Sequence, residues 1–337
     1  MKKILLITLV LFGMSGAYAQ PIPELQSILD SSLNTMQKYS LNRSKIDWPD
    51  FKVKAYLQTK GIANRDSLLK QFPVMFKWLG DFHGSIQTSK LQFSWKEGTP
   101  KIQNNAVIDS AIGKVPSLMV QRWDDIGYYR VPGGITKNVS RVTQMLADTI
   151  CSVDPSTVKG WILDLRLNTG GNVWFNLASL ASMIGDGPST GIYYGDDRTA
   201  EMSFIKDGKP FGNNQFYTIP NVKCTLPSST VPVVILTSPA TASSAEALLL
   251  AFKGRVNTIV IGEPTAGFVT SNNSFAVGED VTLVLATGYM TDGRGRPYTS
   301  GIEPDITVRN GDDFRNLKND KKVAKAMEWL NGRIPKK

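Results

Sequence analysis

The sequence predicts an α/β fold, a mainly parallel sheet with crossover helices preceded by a small N-terminal helical subdomain. Three observations predict it. Strand, turn and helix patterns follow one another over residues 161–184 and again over 231–252, and such units close into parallel sheets through helical crossovers. Ahead of them, from about residue 23 to 79, apolar side chains recur at spacings of three and four, first at Leu25, Ile28, Leu29 and Leu33, later at Leu68, Leu69, Phe72, Met75, Phe76 and Leu79. The third is size and composition: 337 residues, 42% hydrophobic and 20% charged, with 29 Gly and 18 Pro. That describes one large or two smaller globular domains, and excludes a disordered, collagen-like or disulfide-stapled miniature chain.

The elements follow in order. Lys2 and Lys3 precede an apolar run over residues 4–12, and Gly13, Ser15 and Gly16 lead to Ala17-Tyr18-Ala19, the three-part layout of a secretory signal peptide. The run is shorter than the roughly 20 helical residues that cross a bilayer. Cleavage is expected after Ala19, giving a periplasmic or secreted chain with no stable membrane insertion and no cysteine at the cut to take a lipid. The helical subdomain should occupy residues 20–84. Strand signals follow at 91–95 and 127–131, then a helix over about 140–150. Residues 161–166 read as a buried strand, Asn168-Thr169-Gly170-Gly171 as a turn and 173–184 as a helix. Residues 231–237 repeat the plan, passing through Ser238-Pro239-Ala240 into a helix over about 244–252, and 258–261 give the next strand. Strands over 281–287 and 306–308 come later, and Val323, Met327 and Leu330 suggest a closing amphipathic helix.

The formal charge of +9 is modest for this length and names no ligand. Lys318, Lys321, Lys322, Lys325, Lys336 and Lys337 crowd the tail, but without a nucleic-acid motif or an aromatic platform they read as a solvated face, and no nucleic-acid partner is expected. Cys151 and Cys224 are the only cysteines. In an oxidising compartment they either pair or stay as two buried thiols. Two Cys and one His are too few for a structural zinc tetrahedron.

Three segments carry candidate chemistry, each where a strand ends and a helix or loop begins, the place where open α/β sheets set their sites. In Thr241-Ala242-Ser243-Ser244-Ala245-Glu246 a serine opens a helix, and the N–H that follows it can donate to a developing oxyanion. Ser243 with Glu246 three positions on also reads as a capping box. In Asp164-Leu165-Arg166-Leu167-Asn168-Thr169-Gly170-Gly171-Asn172 the paired glycines let backbone approach a ligand, or simply make a tight turn. Their spacing does not match a dinucleotide fingerprint. Asp81-Phe82-His83-Gly84-Ser85 holds the single histidine, either a structural residue or, with an ordinary pKa of about 6.5, a proton-transfer group.

Together these segments resemble the C-terminal processing (tail-specific) peptidase family, serine peptidases that include the tricorn protease core and the retinoid-binding modules of interphotoreceptor retinoid-binding protein. The resemblance spans most of the mature chain. Lys45-Ile46-Asp47-Trp48 and Leu79-Gly80-Asp81-Phe82-His83 are similar to the family's helical N-terminal part, and Ile126-Gly127-Tyr128-Tyr129 to the strand that opens its catalytic core. The later motifs run from Lys159-Gly160-Trp161 through Asp164-Leu165-Arg166 and Gly170-Gly171 to Thr241-Ala242-Ser243, Gly262-Glu263-Pro264-Thr265 and Gly301-Ile302-Glu303-Pro304-Asp305-Ile306. It implies a crotonase/ClpP-like core over residues 85–337.

The resemblance also implies roles. Ser243 falls at the nucleophile position, with the backbone N–H groups of Ser244, Gly170 and Gly171 as the oxyanion hole. The processing-protease branch carries a lysine after Gly-Glu-Pro-Thr; here that stretch reads Ala266-Gly267-Phe268-Val269, so the Ser–Lys dyad is absent. The chain is closer to the tricorn branch, in which a histidine is the base and a glutamate supports it. His83 fits the first role and Glu303 is the nearest candidate for the second. Phe82 stands where that branch has a serine, which Ser85 would have to replace. Some forty residues separate Ser85 from Ile126, too few for an inserted PDZ domain of ordinary size. The expectation is an exported serine endopeptidase acting on protein or peptide substrates without metal or organic cofactor. The alternative is a non-catalytic ligand- or peptide-binding module on the same fold.

Overall fold

The structure, a computed structural model, describes residues 23–99, 105–195 and 200–334; the expected signal peptide and its cut after Ala19 lie outside the described residues, as do Lys336 and Lys337. The helical lead-in is four helices, α1 (Pro23–Tyr39), α2 (Trp48–Thr59), α3 (Arg65–Leu69) and α4 (Phe72–Leu79). They are followed by β1 (Ser85–Gln87), β2 (Gln92–Ser94), α5 (Ala106–Ala111), β3 (Met119–Trp123), β4 (Ile126–Arg130), α6 (Val139–Cys151), β5 (Gly160–Asp164) and α7 (Trp174–Ile184). Next come β6 (Gly187–Tyr193), β7 (Glu201–Lys206), β8 (Lys209–Gly212), β9 (Gln215–Phe216), β10 (Val233–Thr237) and α8 (Ser244–Phe252). The chain ends with β11 (Thr258–Gly262), β12 (Thr270–Gly278), β13 (Val281–Thr291), β14 (Ile306–Thr307) and α9 (Lys321–Asn331). No helix among the described residues is long and apolar enough to cross a membrane.

These strands form two sheets. The six-stranded one runs β14-β11-β10-β5-β4-β3, parallel throughout except for the antiparallel β3–β4 pair. Its central strands are apolar on both faces, as a sheet covered by helices on each side requires. Val233 and Ile235 of β10 point into a core shared with α7 and α8, while Val234 and Leu236 face Val323, Ala326 and Leu330 of α9. The larger sheet corrects the expectation of a mainly parallel architecture. It holds eight strands, β2-β1-β13-β6-β7-β8-β9 with β12 on β13, and every pairing is antiparallel. Short turns explain this, because two-residue hairpins admit only antiparallel neighbours. Asp207 and Gly208 both take positive φ between β7 and β8, and Asn213 and Asn214 do the same between β8 and β9.

The four leading helices pack on this antiparallel sheet. Ile28, Leu29, Leu33, Phe72, Met75 and Phe76 share one buried cluster with Ile86 of β1, Val277 of β12 and Leu283 and Leu285 of β13. The chain leaves α4 at Gly80, whose φ of 69° makes the left-handed helix cap, and turns directly into the His83 segment. The cysteines are paired: Cys151 at the end of α6 is bonded to Cys224, with Cα atoms 5.6 Å apart.

Candidate active site

The parallel sheet delivers the site at the carboxyl ends of β5 and β10, its adjacent central strands. After β10, Ser238 Oγ donates to Arg166 O at 2.7 Å, Thr241 Oγ1 to Leu165 O at 3.0 Å and the Ala242 N–H to Asn168 O at 3.1 Å, so the two strand ends are stitched together. Ser243 then adopts φ 54° and ψ −112° immediately before α8. A non-glycine residue pays about 1–3 kcal/mol for such backbone, which persists only where neighbours fix it. Here the Ser243 N–H donates to Glu246 Oε2 at 2.8 Å.

The glycine turn faces this serine. A Cβ placed on Gly170 would stand 2.9 Å from Ser243 Cβ and 3.5 Å from its Oγ, so only glycine lets the turn come this near. Gly170 has φ 109° and Gly171 φ 128°, and a Cβ on Gly171 would overlap the Gly134 backbone. Asn168, fully buried, builds the turn: its Oδ1 accepts the Gly170 N–H at 3.1 Å and its Nδ2 reaches Pro132 O at 3.1 Å and Val131 O at 3.3 Å. Gly170 therefore spends its N–H within the turn. The N–H groups of Ser244 and Gly171 donate to no acceptor in the hydrogen bonds among the described residues.

His83 sits in a separate cradle. The buried Asp81 carboxylate accepts the N–H groups of His83 (3.1 Å), Gly84 (2.7 Å) and Ala286 (2.9 Å), fixing the turn that presents the ring. Burial raises the Asp81 pKa while these three donors oppose the rise. The segment entering β12 supplies the rest: Phe268 meets the imidazole edge-on at 5.0 Å, Thr270 Oγ1 lies 2.8 Å from Nδ1, and Asn272 Nδ2 donates to His83 O at 3.0 Å. Burial pushes the His83 pKa down from 6.5 to about 4, so the ring is neutral near pH 7.

Glu246 joins the two halves. It is fully buried, and while Oε2 holds Ser243, Oε1 accepts Thr265 Oγ1 at 2.5 Å and the Gly267 N–H at 2.8 Å. Burial pushes its pKa up, against the pull of these donors and of the Phe268 backbone. Among the described residues Ser243 Oγ and His83 share no direct hydrogen bond; they are linked through Glu246 and the 265–270 loop.

Peptidase family S41 matches this chain over residues 125–308, more than half of its length. The chain belongs to that family. The matched segment holds Ser243, the glycine turn and Glu303, while His83 lies ahead of it. Among curated proteins the chain is 21% identical to the nisin-resistance protein of Lactococcus lactis subsp. lactis, over 93% of this chain and 89% of that one. It is 26% identical to the carboxy-terminal processing protease CtpA of Bacillus subtilis, over 58% of this chain but only 42% of that protein. Two solved structures share the fold. A lipoprotein from Streptococcus agalactiae superposes with a TM-score of 0.69 at 21% identity, covering 98% of this chain and 100% of that one. The photosystem II D1 C-terminal processing protease does so at 0.58 and 14%, covering 90% and 97%.

Placed on the S41 fold, the expected site residues divide. Ser243, Ser244, Gly170 and Gly171 are brought together, and His83 stands across the 265–270 loop from them. Glu303 is exposed and makes no hydrogen bond or ion pair among the described residues, with His83 or otherwise, although its neighbour Ile302 exchanges hydrogen bonds with Thr265. Ser85 does not replace the missing serine, since it lies in β1 and accepts Gln92 Nε2 at 3.2 Å. Sequence reasoning missed Thr270 and the second half of Glu246's role. The first gave no signal; the second was hidden by the capping-box pattern, which explains only one carboxylate oxygen.

A buried ion cluster supports both strand ends from beneath. Arg166 pairs with Asp164 (2.8 Å), Asp312 (2.8 Å) and Asp320 (2.6 Å), and Lys322 with Glu263 (2.5 Å) and Asp312 (2.8 Å). Tyr128 donates to Asp164 at 2.6 Å, and the Arg166 guanidinium holds the Asp164 carboxyl below the usual range in spite of burial. The cluster thus fastens α9 to the segments that lead into the glycine turn and into the Thr265 loop.

Proposed function

We propose that this S41 peptidase is an exported serine endopeptidase of protein or peptide substrates, with Ser243 as nucleophile and His83 as general base. The observation that carries the reading is the approach of Gly170 to the Ser243 side chain, with the N–H groups of Ser244 and Gly171 left without acceptors beside it. Two uncommitted N–H groups flanking a partly exposed serine hydroxyl are what a tetrahedral oxyanion needs. Nδ1 lies 2.8 Å from Thr270 Oγ1, and the mechanism takes the tautomer in which Nδ1–H donates to that hydroxyl, with Nε2 as the proton acceptor. As Oγ attacks the scissile carbonyl carbon, its proton passes to Nε2; the imidazolium returns it to the departing amine, and water repeats the cycle on the acyl-enzyme. Closure of Oγ onto Nε2 occurs with substrate bound, as catalytic hydrogen bonds tighten in the Michaelis complex. The Cys151–Cys224 bond supports a location outside the cytoplasm, where disulfides persist.

A second reading, a binding module on the same fold, draws on Phe268 packed against His83 and the lack of a direct Ser243–His83 hydrogen bond. Incubation of the mature chain with an unfolded protein substrate, beside Ser243→Ala, separates them. New peptide termini produced by the wild type alone support the peptidase. Intact substrate with both, bound equally well by both, supports the module.

A further inference from the structure

Glu246 carries more than a helix cap. A capping box needs one side-chain acceptor for the N-cap N–H, and Oε2 on the Ser243 N–H supplies it at 2.8 Å. The second oxygen reaches another part of the chain, where it takes both Thr265 Oγ1 and the Gly267 N–H. Thr265 is itself anchored, since its Oγ1 accepts the Ile302 N–H at 2.8 Å and its own N–H donates to Ile302 O at 3.1 Å. From Gly267 the chain runs directly through the residues that hold His83, with Phe268 on the ring, Thr270 on Nδ1 and Asn272 on the carbonyl.

We infer that Glu246 is a positioning residue that fixes the base-bearing wall of the cleft to the nucleophile turn, a role that rests on the serine-peptidase reading above. Its chemistry fits the task. Every group aimed at it is a neutral donor, and an ionised carboxylate is acceptor-only with about four lone-pair sites, whereas an amide of the same shape turns an NH2 toward one of those donors. Among the described residues no ion pair involves Glu246, so hydrogen bonds alone support a fully buried carboxylate, an arrangement that costs stability unless every lone pair is used. One side chain thus bears on both the strained φ of Ser243 and the 267–272 wall of the His83 cradle, whose other wall Asp81 holds.

The test uses Glu246→Gln, Thr265→Val and Thr265→Ser in the full mature chain. Two readouts are taken: the rate of labelling by a fluorophosphonate probe, and the His83 pKa by NMR, which a chain with one histidine reports through a single imidazole. The account predicts labelling slowed about tenfold to a hundredfold in Glu246→Gln and Thr265→Val, as small displacements of reacting groups do. It also predicts the His83 pKa rising from about 4 toward its ordinary 6.5 as the wall loosens. Thr265→Ser keeps the hydroxyl and should behave as wild type. Loss of the carboxylate charge with no movement of the loop would shift the His83 pKa further down, so a downward shift overturns the role. So do unchanged rates and an unchanged pKa beside a wild type that labels. A folded wild type that never labels overturns the peptidase reading, and this role with it. If Glu246→Gln does not fold, the two Thr265 variants carry the test.

Discussion

His83 Nδ1 and Thr270 Oγ1 stand 2.8 Å apart, so Nδ1 is engaged within the protein whichever of the two groups donates. Thr270, and not Ser85, is the hydroxyl in contact with the imidazole. Replacing Thr270 by Val keeps the shape and removes the partner of Nδ1. Labelling of Ser243 should slow about tenfold to a hundredfold, while Thr270→Ser stays near wild type. Equal rates for Val and Ser would show that the ring is held by packing against Phe268 alone.

The depressed pKa of His83 sets a pH signature. A base that protonates only near pH 4 leaves the acid limb of kcat/KM near pH 4, where an unperturbed histidine would put it near 6.5. The same shift acts on stability. Between pH 6.5 and about 4 the unfolded chain holds a proton that the folded one rejects, so stability falls as pH falls through that window, by about 3 kcal/mol at most. Asp81 and Glu246, both raised by burial, act in the opposite sense, so the comparison must be internal. The stability of His83→Gln relative to wild type should rise from pH 7 to pH 4.5 in urea titrations; a constant difference would contradict the assignment.

Gly171→Ala tests the oxyanion turn. The new methyl meets the Gly134 backbone at a φ of 128°, so the bridge between Gly134 and Gly171 must open and the Gly171 N–H must turn away. Loss of one oxyanion donor costs about 10²–10³ in kcat, and KM should change far less. A proportionate rise in KM at constant kcat would mean that the turn binds substrate uniformly and does not act in the transition state.

The Cys151–Cys224 bond closes a separation of 73 residues, for which loop-closure entropy gives about 4 kcal/mol. Gln144 and Asn221 exchange two hydrogen bonds beside it, and Lys223 pairs with Asp148, so the strap keeps its path when the bond is cut. Urea unfolding with and without reductant should differ by that order. Coincident curves would mean that the bond is absent from the folded protein.

In the buried cluster, Lys322→Met strands Glu263 without its cation and leaves Asp312 to Arg166 alone, and removing one partner of a buried pair costs about 3–5 kcal/mol. Chemical denaturation measures it, and a loss below about 1 kcal/mol would show that the carboxylates find other partners.

Much of the parallel half of the fold was legible because its signals are local. Runs such as Trp161-Ile162-Leu163 and Val233-Val234-Ile235-Leu236 are apolar on both faces, and each is followed at once by its turn and helix. The antiparallel sheet was less so. Its hairpin turns, Asp207-Gly208, Asn213-Asn214 and Glu279-Asp280, were there to be read, but β6 to β9 carry mixed, half-buried side chains with no clean alternation. At the site, Ser243, the glycine pair and His83 were legible as motifs. Thr270 was not, because its contact with His83 spans 187 residues and depends on a sheet register that no local pattern encodes. Glu303 was favoured by its place in a motif whose structural work is done by the backbone of Ile302.

The central claim is an activated serine at position 243 served by the only histidine. The most direct measurement is fluorophosphonate labelling of the mature chain at neutral pH, with the adduct located by peptide mapping and with Ser243→Ala and His83→Ala alongside. The account predicts a single adduct on Ser243 in the wild type, none at that site in Ser243→Ala, and labelling slowed about a hundredfold or more in His83→Ala. A folded wild type without an adduct, or an adduct that forms equally fast without His83, would contradict it.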